Sequence, residues 1–100
     1  MIELIARRRV AVHDRHLEQL QAKSAALLKQ HGALSHGYGF YRAGPHKGEI
    51  FMSVVFPDSA TQENAIQALS QQKDWRSVAR ALEKIAPLQE SHLIEIQANE

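Results

Sequence analysis

The spacing of apolar residues along the chain changes period several times, and each change marks an element. Residues 2–10 (IELIARRRV) open β-branched and apolar and continue through arginines that alternate between faces, the pattern of a strand. Between 14 and 31, Leu17, Leu20, Ser24, Leu27 and Leu28 recur at three- and four-residue steps, which predicts an amphipathic helix, and Gly32 stands where a left-handed C-cap belongs. Residues 34–43 (LSHGYGFYRA) carry aromatic side chains and two glycines. The run GPHKG at 44–48 supplies turn chemistry, and 49–57 (EIFMSVVFP) reads as the returning strand of a hairpin. Ser59 and Gln62 stand at capping-box spacing after Pro57, which predicts a helix start. Its stripe, Ile66 and Leu69, lapses over 71–74 and resumes with Trp75, Val78, Ala79, Leu82 and Ile85, so one bent helix or two abutting ones are expected. Pro87 ends the run. Residues 88–97 form the last strand, with His92, Ile94 and Ile96 on one side and Leu93 on the other.

The order strand, helix, two strands, helix, strand predicts an α+β, ferredoxin-like βαββαβ domain over residues 1–100, with a four-stranded antiparallel sheet and helices on one face. If the second face met water, each strand would alternate between apolar and polar residues. They do not: Ile50, Met52, Val54 and Phe56 oppose Phe51 and Val55, and His36, Tyr38 and Phe40 oppose Tyr41. Two apolar faces and helices for only one imply a homodimer through the open sheet face, a dimeric α+β barrel with a cavity between each sheet and its own helices.

Composition narrows the chemistry. With 100 residues and no cysteine, a disulfide framework, an Fe–S cluster and a thiol nucleophile are excluded. Twelve basic against eleven acidic side chains leave a net charge of +1, too little for nucleic-acid binding as the main task. No stretch approaches the roughly 20 apolar residues that cross a bilayer, so no membrane role and a cytoplasmic location are expected.

The segment Lys73-Asp74-Trp75-Arg76, followed by Leu82-Glu83-Lys84-Ile85 and Pro87-Leu88, resembles the closing helix and last strand of NIPSNAP-type domains. These belong to the dimeric α+β barrel superfamily, with antibiotic-biosynthesis monooxygenases and haem-degrading enzymes. The residue match covers the last third of the chain, whereas the element order matches nearly all of it. The first strand departs from the pattern, since Glu3-Leu4-Ile5-Ala6-Arg7 lacks an aromatic residue and Val12-His13 replaces a Pro-Gly turn; the third has Phe51-Met52-Ser53 where many relatives carry Trp. Haem-degrading relatives place an axial His on the second helical region. Here no histidine lies between Pro57 and Ser91, so the resemblance implies no haem and no other cofactor.

Six histidines raise the question of a metal. His13 and His16 lie close with Asp14 beside them, but no third ligand is evident, and no metal site is expected. His31 suits a helix C-terminus, and His46 falls in the turn. The best candidate pocket wall is on the second strand: His36 as proton acceptor, Tyr38 as hydrogen-bond donor, Phe40 as apolar ring and Arg42 as counter-ion to a carboxylate or enolate. Gly37 and Gly39 on the opposite face permit close backbone approach. The competing reading makes Tyr38 and Phe40 plain core and leaves His36 and Arg42 in water at the strand ends. His92 shares a face with Ile94 and Ile96 and joins the candidate ligand-binding set, or is a hydrogen-bonded core histidine. Trp75 is expected to anchor its helix on the sheet. Arg7, Arg8 and Arg9 are split between the two faces, and Glu18, Glu63, Glu83 and Glu90 are dispersed.

Two functions follow. One is a small homodimeric NIPSNAP-like protein binding a hydrophobic or aromatic molecule between sheet and helices; the other is a cofactor-independent monooxygenase or isomerase of the antibiotic-biosynthesis type. The sequence leaves open whether the protein is an enzyme. The deciding observation is whether His36, Tyr38, Arg42 and His92 converge on one cavity.

Overall fold

Strand β3 (Ile50–Phe56) divides the molecule: its residues Ile50, Met52, Val54 and Phe56 are buried, while Phe51, Ser53 and Val55 between them are not. That period of two assigns one face of the sheet to the core. The computed structural model describes residues 1–10 and 15–97. Around β3 stand β1 (Ile2–Arg8), α1 (Arg15–Gln30), β2 (Ser35–Phe40), α2 (Ser59–Ser70), α3 (Lys73–Ile85) and β4 (Leu88–Glu95). The sheet order is β2-β3-β1-β4 with antiparallel neighbours, the ferredoxin-like arrangement. His13 and Asp14, from the considered metal pair and the expected helix start, lie outside the described residues.

Register transfers the face assignment from β3 to every strand. Ile2, Leu4, Ala6 and Arg8 pair with Phe56, Val54, Met52 and Ile50, so they face the helices, and Glu3, Ile5 and Arg7 face away. On β2, His36, Tyr38 and Phe40 pair with Val54, Met52 and Ile50 and share the helix side. On β4 the register slips: Arg7 pairs with Glu90 but Arg8 with Leu88, so Gln89 is the extra residue of a bulge. The slip returns Leu88 to the helix side, which it shares with Ser91 and Leu93.

The helices close two core clusters. Leu17 and Leu20 of α1 pack with Ile50, Val78, Leu82 and Ala86; Leu28 packs with Ala33, Val54, Phe56, Ala65 and Leu69. The lapse in the apolar stripe is a real break between two helices. Gln71 closes α2, its N–H shared by the Ala68 and Leu69 carbonyls, and Gln72 opens α3 in extended conformation without a side-chain cap bond. The Gln72 amide instead lies 2.8 Å from Nε2 of His31, tying the α2–α3 junction to the end of α1. Asp58, not Ser59, caps α2: its Oδ1 accepts the Thr61 N–H at 2.7 Å, and that bond holds the Asp58 carboxyl below its ordinary value. The Asp58 carboxylate reaches the third N–H of the helix from one residue earlier than the expected capping box, and Gln62 is instead buried. Gly32, at φ +100°, closes α1 as expected; a Cβ there would lie 2.6 Å from Thr61 Cγ2, so glycine serves both the backbone and the packing. Among the described residues no helix is long and apolar enough to cross a membrane.

Candidate functional site

A cavity of about 210 Å³ lies between the sheet and the helices. It exists because small side chains meet across its middle. On the sheet, Ala6 stands between Met52 on β3 and Ser91 on β4 in one cross-strand row, so two of the three side chains in that row are short. On the helix side, Ser24 of α1 and Ala79 of α3 leave room where Leu at either position would fill it. Trp75, Val78, Ala79 and Leu82 all line it, at steps of three, one and three, so the stripe that predicted α3 is also the cavity wall. Leu4, Val54, Leu28 and Ile66 complete the apolar lining, and Leu88 and Ser91 bring it to the exposed edge strand β4. A dry apolar cavity of about 150 Å³ already accepts a benzene ring. The space therefore suits one or two fused rings.

The polar part of the lining is Arg8, Ser24 and Ser91. No carboxylate or imidazole lines the cavity among the described residues, so it offers a ligand a cation and hydroxyls but no ordinary proton acceptor.

The expected site residues are dispersed. His36 and Tyr38 do share one strand face, on the helix side of the β2 edge. His36 is half-buried, its Nε2 enclosed without a hydrogen-bond partner, and burial followed by the charge of Lys29 holds the imidazole below its ordinary 6.5. Tyr38 and Phe40 are exposed at 39% and 47%, so they are not plain core. Arg42 lies in the connection after β2 and is exposed. His92 points to the open face, beside Ile5, and is exposed rather than a core histidine. The four residues do not converge within the chain: β2 and β4 are opposite edges of the sheet, and His36 and His92 face opposite sides. None of the four lines the cavity.

His92 belongs to a second arrangement, on the open face. Its Nε2 donates to Glu90 at 2.6 Å; Glu90 also accepts from Arg7 at 3.1 Å, and Arg7 reaches Glu49. Glu90, one of the carboxylates dispersed in sequence, thus meets Glu49 on one guanidinium, which Glu49 and then Glu90 hold above its ordinary pKa, while His92 and then Arg7 hold Glu90 below its own. Tyr41 packs edge-on against His46 and Phe51, with ring centroids 5.7 and 5.9 Å apart. Ile5, Arg7, Tyr41, His46, Glu90 and His92 rim a shallow pocket of about 160 Å³. Gly39 admits a neighbour as expected, but the neighbour is internal: a Cβ there would stand 2.9 Å from Phe51 Cε1, whereas nothing lies within 4 Å of one at Gly37. Among the described residues, no group of three or more His, Cys, Asp or Glu could hold a metal ion.

Sequence reasoning missed Arg8 and Ser91, and took Ser24 only as a step in a stripe. The available signal was phase. Arg8 continues the series Ile2, Leu4, Ala6, and Ser24 interrupts a leucine stripe, so both are polar residues in core positions.

By sequence, no family model and no curated protein matches the chain. Solved structures do. SnoaB, a cofactor-independent oxygenase from Streptomyces nogalater, superposes with a TM-score of 0.74 at 18% identity, covering 98% of this chain and 94% of its own. The chain shares the ferredoxin-like fold of this structure. An uncharacterized NIPSNAP domain protein from Burkholderia xenovorans gives 0.73 at 14% identity, over 98% of this chain and 96% of that one. An antibiotic-biosynthesis-monooxygenase-like protein from Deinococcus radiodurans gives 0.67 at 16%, over 100% and 94%. These likenesses extend over the whole chain and carry the fold expected from the element order and the NIPSNAP-like segment.

Proposed function

We propose that this chain is a homodimeric, NIPSNAP-like binding module that holds a small hydrophobic or aromatic molecule between its sheet and helices, without a cofactor. The observation that carries the reading is the cavity of about 210 Å³, walled by Trp75, Val78, Leu82, Met52 and Val54 and reaching the edge strand β4. Water gains little against such a wall, and a planar ring gains contact with nearly all of it. The paired sheets follow from the open face, where Phe51 and Ile94 stand 37% and 43% exposed among Ile5, Val55 and Tyr41. In this reading one domain spans the chain, works in the cytoplasm and binds neither nucleic acid nor membrane.

Trp75 is the single tryptophan of the sequence and lines the cavity, so its fluorescence reports occupancy directly. Titration with 1-naphthol should quench it saturably, and Ala79→Leu, which fills the space without adding a second tryptophan, should abolish the quench. An unquenched Trp75 rejects the reading. Light scattering should give a species of twice the chain mass; a monomer at micromolar concentration rejects the dimer.

The second reading, a cofactor-independent monooxygenase or isomerase, is favoured by the similarity to SnoaB, a cofactor-independent oxygenase. Among the described residues the lining has no acid or imidazole to take a proton, which favours binding over chemistry. Dioxygen uptake in the presence of 1-naphthol, lost in Ala79→Leu, would reverse that preference.

A further inference from the structure

We infer that Arg8 recognises an anionic group on the molecule held in the cavity, so that the ligand is a small planar ring bearing an anionic oxygen; this rests on the cavity being a ligand site. Arg8 stands in a core position of β1, paired with Ile50 on one side and Leu88 on the other, and its side chain is only 13% exposed. It is the one charged residue among the described lining of the cavity. Both of its hydrogen bonds come from a single nitrogen: Nη1 donates to the Ala86 carbonyl at 2.9 Å and to Glu83 at 3.2 Å, at the C-terminal end of α3. Nε is enclosed and has no partner.

A guanidinium offers five N–H donors in a fixed fork, and a buried charge needs both a counter-charge and filled donors. Here the counter-charge is poor. Glu83 is 57% exposed, and its Oε2 also accepts the Leu88 N–H at 3.2 Å, so water and a second donor share it. An end-capping role at α3 explains the bonds from Nη1 but not a buried Nε left over. A carboxylate or phenolate entering beside Ser91 would complete the fork, while its ring lay against Trp75 and Leu82.

The test uses two probes of nearly equal shape, 1-naphthoate and neutral 1-naphthylmethanol, each titrated against Trp75 fluorescence at neutral pH. Naphthoate should bind about ten- to a hundredfold more tightly. Arg8→Gln should erase that preference while keeping naphthylmethanol affinity, Arg8→Lys should keep part of it, and Glu83→Gln should tighten naphthoate by freeing the guanidinium. Equal affinity of the two probes for the wild type overturns the role of Arg8 and leaves the cavity reading standing. A preference that survives Arg8→Gln overturns it as well. Failure of both probes to change Trp75 rejects the cavity reading and this inference with it. Should Arg8→Gln fail to fold, naphthoate affinity unchanged in both Arg8→Lys and Glu83→Gln overturns the assignment.

Discussion

The two faces of the sheet are built from the same strands on opposite plans. On the helix side Ile50, Val54 and Phe56 are at most 2% exposed, covered by the chain's own helices together with Ala33 and Ala86. On the open side Phe51 and Ile94 alternate with Glu3, Arg7, Glu90 and His92; Arg7 pairs with Glu90 across strands, His92 with Glu90 along β4, and Glu3 accepts from the Ser53 hydroxyl, so these groups are answered within the sheet rather than by another layer. The contrast separates two uses of apolar area. Buried continuously, it stabilises the fold; interrupted by paired charges, it leaves a face that tolerates water and still presents rings to a partner. The polar exceptions within the covered face are therefore the informative ones, and Arg8 and Ser24 are both found at the cavity.

The contrast can be broken most directly with one phenylalanine from each face. Phe56→Ala should cost about 3–5 kcal/mol of folding stability in urea titration, the usual result for an aromatic removed from a closed core. Phe51→Ala should cost under about 1 kcal/mol in dilute solution, yet shift size-exclusion profiles toward monomer. Equal costs for the two would erase the distinction. Gly39→Ala, where the new methyl must displace the Phe51 ring, should also stay far below the Phe56→Ala cost, at about 1 kcal/mol, with the same drift toward monomer as Phe51→Ala.

Finest of all is a separation by pH. His36, on the covered face, is held below 6.5 by burial and by Lys29, so the unfolded chain takes up the proton first. Stability should start to fall as pH drops below 6.5 and level off below the folded value, and His36→Gln should flatten that part of the melting-temperature profile. Glu90, on the open face, is held below 4.5 by His92 and Arg7, so its contribution is complete above 4.5 and lost as pH falls through the folded value. Glu90→Gln should remove only this lower limb. A single variant that flattened both limbs would show the faces to be coupled.

Much of the cavity's helix wall is legible in the order of residues alone. Trp75, Val78, Ala79 and Leu82 carry a helical period strong enough to survive the break at Gln71 and Gln72. The candidate set on β2 is legible as a shared face but not as a site. Alternation says that His36 and Tyr38 point the same way and says nothing of whether a helix lies above them; at the β2 edge Tyr38 and Phe40 are left exposed. His92 shows the complementary limit. Its partner Glu90 lies two residues away on the same strand, Arg7 and Glu49 join Glu90 only through the pairing of distant strands, and the local pattern of Ile94 and Ile96 alone suggests half-burial.

The sequence by itself determined the element order, the two-faced strands and the absence of cysteine chemistry, because period and composition are local properties that each residue carries with it. The tertiary structure decided which face of each strand the helices cover, where Ala6 meets Ser91 to open a space, and that the Gln89 bulge turns Leu88 toward it. Those outcomes depend on register between segments far apart in the chain. A slip of one residue reverses a face, and here it changes which side chains reach the cavity's side of the sheet.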